Sequence, residues 1–185
     1  PRPAPPSLWT LLPLLTAAVC LTAYVATAAP GLTWAHDGAD GGDLIAACET
    51  GGVPHPSGYP TYCLLARLWA RLAPGDLARR YTLFSALTAA VSAGLIGDLA
   101  RRLWLRAGGG RYESVAIAAG CGLIWGLGPA LWSLAVITEV YTLHALFAAL
   151  LLWRVLTLRK CSPLAAWVAL GLVAGLGLGN HLTLA

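Results

Sequence analysis

Long apolar runs and short polar interruptions alternate along this chain at the spacing a bilayer imposes. A membrane-crossing helix needs about 20 predominantly apolar residues. Five stretches read as spans: about 8–29, 80–100, 113–128, 135–158 and 163–184. The first is uncharged and about 22 residues long, more than the usual 7 to 15 of a signal-peptide core, so it reads as a retained anchor. Between Glu113 and Arg154 lie forty residues with a single charge, Glu139. That is too much for one ordinary span, and "GLGPALWS" (126–133) supplies the break, because Gly and Pro interrupt helices. The last run, "LGLVAGLGLGN", is glycine-rich, which permits close helix–helix approach in lipid.

The longest polar interruption is a loop over 30–79. Within it, "DLIAACET" (43–50) reads as a short helix with Asp43 at its N-cap. "TYCLLARLWARLA" (61–73) is too short to span, and with Arg67 and Arg71 at i, i+4 it suits an amphipathic helix lying in the membrane interface. "PHPSGYP" (54–60) joins the two as a rigid turn. Arg and Lys mark the cytoplasmic side. The loop after the second span carries Arg101, Arg102, Arg106 and Arg111, and the one after the fourth carries Arg154, Arg159 and Lys160. With Arg2, these place the N-terminus inside and 30–79 outside. Arg67, Arg71, Arg79 and Arg80 run against that rule.

Composition supports the pattern. The chain is 58% hydrophobic and only 11% charged, with mean hydropathy +0.70, where soluble domains carry about 25% charged residues. These values point to an all-α polytopic membrane protein. A net charge of +4 is too small to signal nucleic acid. The 185 residues contain no Met and end in an apolar run, so the chain reads as a fragment of a longer protein. The five cysteines contain no CxxC and no metal-ligand spacing; three look like small packing residues. Cys48 and Cys63, in the same polar segment, could pair outside the cytoplasm.

The polar residues then sort by side. His36, Asp37, Asp40, Asp43, Glu49 and His55 lie in the outer loop. Glu139 is near the outer end of the fourth span, with His144 five residues on, and Asn180 and His181 are near the outer end of the fifth. Intramembrane ionisable groups are costly and usually functional, so segments far apart in sequence deliver polar groups to one membrane face. Paired carboxylates suit general-base chemistry, although "DGADGGD" also reads as a solvated turn. Glu139 needs a partner, and Arg79 or Arg80 is the candidate. A transporter using Glu139, His144 and Asn180 as a polar pathway, and a non-catalytic assembly subunit, are the rival readings.

Four stretches carry a resemblance: "GADGGDLIAA", "HPSGYPTY", "ITEVYTLHALF" and "LGLGNHLTL". In this order they resemble the motif set GGDSGELIAA, HPPGYPLY, AEVYTLNALF and LGNHLT. That set belongs to a polytopic family of bacterial proteins of unassigned function and an animal endoplasmic-reticulum protein O-mannosyltransferase. The resemblance covers residues 38–184 and only the N-terminal part of the family. It implies a fold similar to GT-C glycosyltransferases, which use a polyprenyl-phosphate-linked sugar and carry a catalytic carboxylate in the first outer loop. Asp40 then matches the family aspartate and Asp43 its glutamate, one methylene shorter. Ser57 stands for the second proline and His144 for the asparagine; Asp37 has no counterpart.

The implied site has Asp40 and Asp43 as catalytic carboxylates. His55, Tyr59, Arg79, Arg80, Glu139, Tyr141, Asn180 and His181 would contact the donor, its phosphate and the acceptor hydroxyl. The donor itself is the membrane-lipid substrate, and no metal is required by any ligand spacing. A bacterial inner membrane with the site facing the periplasm is the expected setting.

Overall fold

The computed structural model describes residues 8–158 and 163–184; the side chains of His36 and Asp37, the basic pair Arg159 and Lys160, and Arg2 lie outside the described set. Among the described residues the regular secondary structure is entirely helical. Its α-helices are α1 (Leu8–Thr27), α2 (Gly41–Thr50), α3 (Pro60–Ala70), α4 (Leu77–Arg106), α5 (Glu113–Leu127), α6 (Pro129–Ala135), α7 (Tyr141–Thr157) and α8 (Leu164–Asn180). Short 3₁₀ turns cover Ala35–Asp40 and Leu182–Leu184.

The scaffold is organised around α4, which packs against α1, α3, α5, α6 and α7. At 30 residues and a rise of 1.5 Å per residue it is about 45 Å long, and it is long and apolar enough to cross a membrane. It begins earlier than the expected Arg80 and ends later than the expected Ala100. At its start Asp76 caps the helix, its Oδ1 accepting the Arg79 N–H at 2.9 Å. Near its end Asp98, inside the helix and 6% exposed, accepts hydrogen bonds from Arg101, Arg102 and the Trp153 indole of α7. Those guanidiniums are therefore satisfied within the helix, which continues through them.

α5 and α6 meet at Gly128–Pro129 with a 59° bend, the break expected from "GLGPALWS". Together they are long and apolar enough to form one broken span, whereas the apolar stretches Leu11–Thr27, Tyr141–Thr157 and Leu164–Asn180 are shorter.

The expected fourth span, starting at 135, is corrected. The chain leaves helix after Ala135 and re-enters only at Tyr141. The run Val136, Ile137, Thr138 and Val140 is β-branched and disfavours helix, and its backbone finds partners elsewhere. The Ala29 N–H donates to Val136 O at 2.8 Å. Ser85 Oγ accepts the Glu139 N–H at 3.0 Å and donates to Glu139 O at 3.2 Å. Thr82 meets Thr138 at 3.4 Å. A hydroxyl face on α4 thus holds an irregular segment that would otherwise expose unpaired backbone.

Close packing of the long helices rests on missing side chains. A Cβ on Gly94 would lie 2.4 Å from the Pro13 carbonyl oxygen of α1, and one on Gly97 2.6 Å from Ala118 O of α5. Tyr24 of α1 clamps the same face by donating its hydroxyl to the Gly126 carbonyl.

The 30–79 segment folds as two helices joined by a turn, as expected, with corrected ends. Cys48 of α2 and Cys63 of α3 form a disulfide, their Cα atoms 4.7 Å apart. A core of Leu44, Tyr59, Tyr62, Ala66, Tyr81, Phe84 and Leu143 fixes the hairpin against α4 and α7. The face of α3 that carries Leu64 and Leu68 remains exposed.

Candidate functional site

The hairpin's turn places His55 between two carboxylates. α2 starts at Gly41, so Asp43 sits inside its first turn and is not its cap; Asp40 holds the N-cap position without a side-chain capping bond. Asp43 spends its side chain on His55 instead. One oxygen, Oδ2, accepts both the His55 main-chain N–H at 3.0 Å and Nδ1–H at 2.8 Å. These bonds, the main-chain one first, hold the Asp43 carboxyl below the usual carboxylate range. On the other side of the ring, Nε2 lies 3.6 Å from Asp40 Oδ2 and 3.1 Å from the Tyr59 hydroxyl. Both carboxylates are half exposed.

Tyr59 is the hinge of this arrangement. Its φ of 43° lies in the left-handed region, which is uncommon for a bulky residue and costs strain. The side chain is buried, crosses the His55 ring edge-on, and stacks on His181 with centroids 5.9 Å apart and planes 23° from parallel. Burial pushes its phenol up, with Tyr141, Asp40 and Glu139 adding to the effect. His181 also meets Tyr141 at 5.2 Å and His144 at 5.4 Å. Its Nδ1 accepts the Thr183 N–H at 3.3 Å, which leaves Nε2 as its available nitrogen. His55, Tyr59, Tyr141, His144 and His181, from a turn, α7 and the end of α8, therefore form one aromatic and imidazole rack beside Asp40.

Glu139 lies behind that surface. It is 5% exposed, its Oε1 accepts the Val140 N–H at 2.7 Å, and it lies within electrostatic reach of Asp40 and His55. Asn180 is fully buried and donates to Val140 O at 3.4 Å, tying the end of α8 to the same irregular segment. Asp40, Asp43, His55, Tyr59, Glu139, Tyr141, Asn180 and His181 are thus gathered at one end of the helices.

Arg79 and Arg80 are not gathered there. The Arg79 guanidinium donates to the carbonyls of Val25, Ala28 and Ala29 at the end of α1. Arg80 donates to Ala70 at the end of α3 and to Gly75 in the loop before α4. Both lock loop to helix by satisfying helix-terminal carbonyls, and neither pairs with Glu139.

Sequence reading missed the residues that hold the site. Ser85 and Thr82 fix the 138–139 backbone, and Thr88 donates to Thr142 at 3.0 Å. Their signal was available: Thr82, Ser85 and Thr88 recur every third residue on one face of an otherwise apolar helix. Glu49 is a further supporting group, accepting from the Tyr81 hydroxyl at 2.8 Å and facing Arg67 at 3.9 Å. Beside the rack, Tyr141 also lines an apolar cavity of about 580 Å³ with Trp125, Pro129, Leu131 and Ala145.

Fold and site together define a helical, strongly apolar chain with a carboxylate–imidazole–carboxylate centre and its aromatic and imidazole neighbours at one end of the helices. Residues 40–185 match the protein O-mannosyl-transferase TMEM260 N-terminal domain, and the chain belongs to that family. A mouse (Mus musculus) protein named protein O-mannosyl-transferase TMEM260 is 37% identical over 116 residues, which is 62% of this chain and 15% of the relative. The chain thus spans about a seventh of that relative's length. No solved structure matches it.

Proposed function

We propose that this chain is the N-terminal part of a membrane-embedded, GT-C-like glycosyltransferase. It moves a mannose-like sugar from a polyprenyl-phosphate donor to a hydroxyl acceptor at the outer membrane face. The observation that carries the reading is the centre at Asp40, His55 and Asp43, built from the first two family motifs and faced by the other two through Glu139 and His181. Five spans, an N-terminus inside and a bacterial inner membrane with the site toward the periplasm complete it. The Cys48–Cys63 disulfide supports the outward placement of the hairpin, since such bonds persist in oxidising compartments.

The two carboxylates take different roles. Asp43 is occupied by His55, whereas Asp40 has, among the described residues, one distant ion-pair partner and is the group we assign to accept a proton. Asp40 removes the acceptor hydroxyl's proton as the oxygen bonds to the anomeric carbon. The bond from that carbon to the phosphate oxygen breaks, and the polyprenyl phosphate leaves with the electron pair. Arg79 and Arg80 are committed to carbonyls, so His181 is the nearer candidate to face the leaving phosphate. The apolar cavity at Tyr141 suits the start of the polyprenyl chain.

The test is transfer of labelled mannose from polyprenyl-phosphate mannose to a Ser/Thr peptide by the full-length protein and its Asp40→Asn variant. A loss on the order of 10²-fold or more in kcat is expected. Unimpaired transfer by the variant would remove Asp40 from the mechanism.

A further inference from the structure

His55 has two differently furnished nitrogens, and that asymmetry defines what it can do. Nδ1 lies 2.8 Å from a carboxylate oxygen that also takes the residue's own main-chain N–H. A carboxylate only accepts, so Nδ1 carries a proton, and the neutral ring keeps its lone pair on Nε2. That lone pair has two neighbours: the Tyr59 hydroxyl at 3.1 Å and Asp40 Oδ2 at 3.6 Å. A lone pair facing a carboxylate is repulsive unless a proton lies between them. The Tyr59 hydroxyl, for its part, has a second acceptor in Pro56 O at 3.2 Å. It can donate to Nε2 or turn away to the carbonyl, leaving its oxygen to accept.

We infer that His55 is the proton relay that resets Asp40, with Asp43 as its positioning residue and the Tyr59 hydroxyl as a two-position switch. The inference rests on the proposed sugar transfer with Asp40 as base. Once Asp40 has taken the acceptor's proton, the two side chains close their 3.6 Å gap to hydrogen-bond reach, the Oδ2–H bond breaks and an Nε2–H bond forms on His55. Asp40 is then a carboxylate again and the ring an imidazolium. The Tyr59 O–H, displaced from Nε2, donates to Pro56 O. The imidazolium stands between two carboxylates, Asp40 and Asp43, with the buried Glu139 adding negative charge from the segment before α7 and His181, across Tyr59, adding a second imidazole. With 37% of its side chain exposed, the ring then releases the proton to water. Donor and acceptor seated over Asp40 block that carboxylate's direct route to solvent, which gives the relay its purpose.

The relay predicts a particular pH signature, because a ring already protonated cannot accept. In the full-length protein, transfer from polyprenyl-phosphate mannose should fall on the acid side as the His55 ring takes up a proton. His55→Gln should lower kcat about 10- to 100-fold, move that limb to lower pH, and be partly rescued by added imidazole. Asp43→Asn should fall between the two. A His55→Gln variant that keeps wild-type kcat, or loses it with the limb unmoved and no imidazole rescue, overturns the relay and leaves His55 a loop fastener. Nitrogen-15 NMR of the ring in the solubilised full-length protein gives a readout that needs no turnover. The Nδ1–H tautomer in wild type, lost in Asp43→Ala, which removes the acceptor, supports the relay, and the Nε2–H tautomer overturns it. If wild type transfers no lipid-linked sugar, the proposed function fails, and the NMR result alone still decides the relay geometry.

Discussion

Replacing Ser85 by alanine is the sharpest test of how the site is held. Ser85 is fully buried on α4, and its hydroxyl is shared by both backbone groups of Glu139, accepting from the N–H at 3.0 Å and donating to the carbonyl at 3.2 Å. The carbonyl keeps a second partner in the Thr142 hydroxyl at 3.3 Å. The N–H has no other, so the loss concentrates there. Stranding one buried donor costs about 1–3 kcal/mol. Polar contacts between membrane helices measure nearer 0.6 kcal/mol on average, so about 1–2 kcal/mol is expected for an alanine that also leaves a small gap. Glu139 and Tyr141 flank the freed backbone, so the rack should loosen with it and kcat should drop together with stability. The assay is reversible unfolding in mixed detergent micelles alongside transfer kinetics of the full-length protein. Thr82→Val serves as the comparison, because its 3.4 Å contact is the weaker one. A Ser85→Ala protein as stable as wild type, or one destabilised no more than Thr82→Val, would refute the claim that α4 hydroxyls fix this break.

Four further outcomes follow from the same structure. Gly94→Val should separate α1 from α4, since a Cβ there meets Pro13 O at 2.4 Å; overpacking of this kind costs about 1–3 kcal/mol, readable as a lower melting temperature in detergent. Asp98→Ala should cost about 3 kcal/mol in the same assay by leaving Arg101, Arg102 and the Trp153 indole without their shared acceptor. Reducing Cys48–Cys63, 15 residues apart, should destabilise the hairpin by about 3 kcal/mol and expose residues 51–58 to protease, with mass spectrometry locating the cuts. Asp43 titrates below its unfolded value because His55 donates to it, so its contribution is present above the unfolded pKa of about 3.9. That contribution disappears as pH falls through the lower folded value. Protease sensitivity of the 54–58 turn should accordingly rise below about pH 4, and Asp43→Asn should flatten the dependence.

Hydropathy made the apolar segments legible because burial in lipid is a property of summed composition, and "GLGPALWS" made one break legible because Gly and Pro act locally. The break at 136–140 was illegible for the opposite reason. "AVITEVY" contains neither residue; its β-branched run only weakens helix, and what holds it unwound is a set of hydroxyls on a helix more than fifty residues away. Arg79 and Arg80 were misplaced for a related cause. Charge near a membrane boundary reads as an anion site, whereas here the nearest unmet demand is the carbonyl ends of α1 and α3. Spacing alone left Asp37, Asp40 and Asp43 open, and the family resemblance kept Asp40 and Asp43 without telling them apart. Their difference came from the fold of a turn twelve residues on, which aims His55 at both with opposite nitrogens. The disulfide was open in the sequence because pairing depends on the hairpin angle between α2 and α3.

The same facts explain why the site sits where it does. A carboxylate such as Glu139 is tolerated 5% exposed only if local donors meet it, and an intact α-helix has no free N–H to offer. Breaking the chain between α6 and α7 frees the Val140 N–H, which Glu139 takes with its own Oε1. The break itself then needs outside partners, and Ser85 and Asn180 supply them from α4 and α8. Because α4 also packs against the hairpin's α3, one helix sets the Glu139 segment and the support beneath Asp40 and His55 in a single frame. Disturbing the α4 hydroxyl face should therefore shift Glu139 relative to Asp40 without touching either carboxylate, and it should do so more than any substitution on the exposed Leu64–Leu68 face of α3.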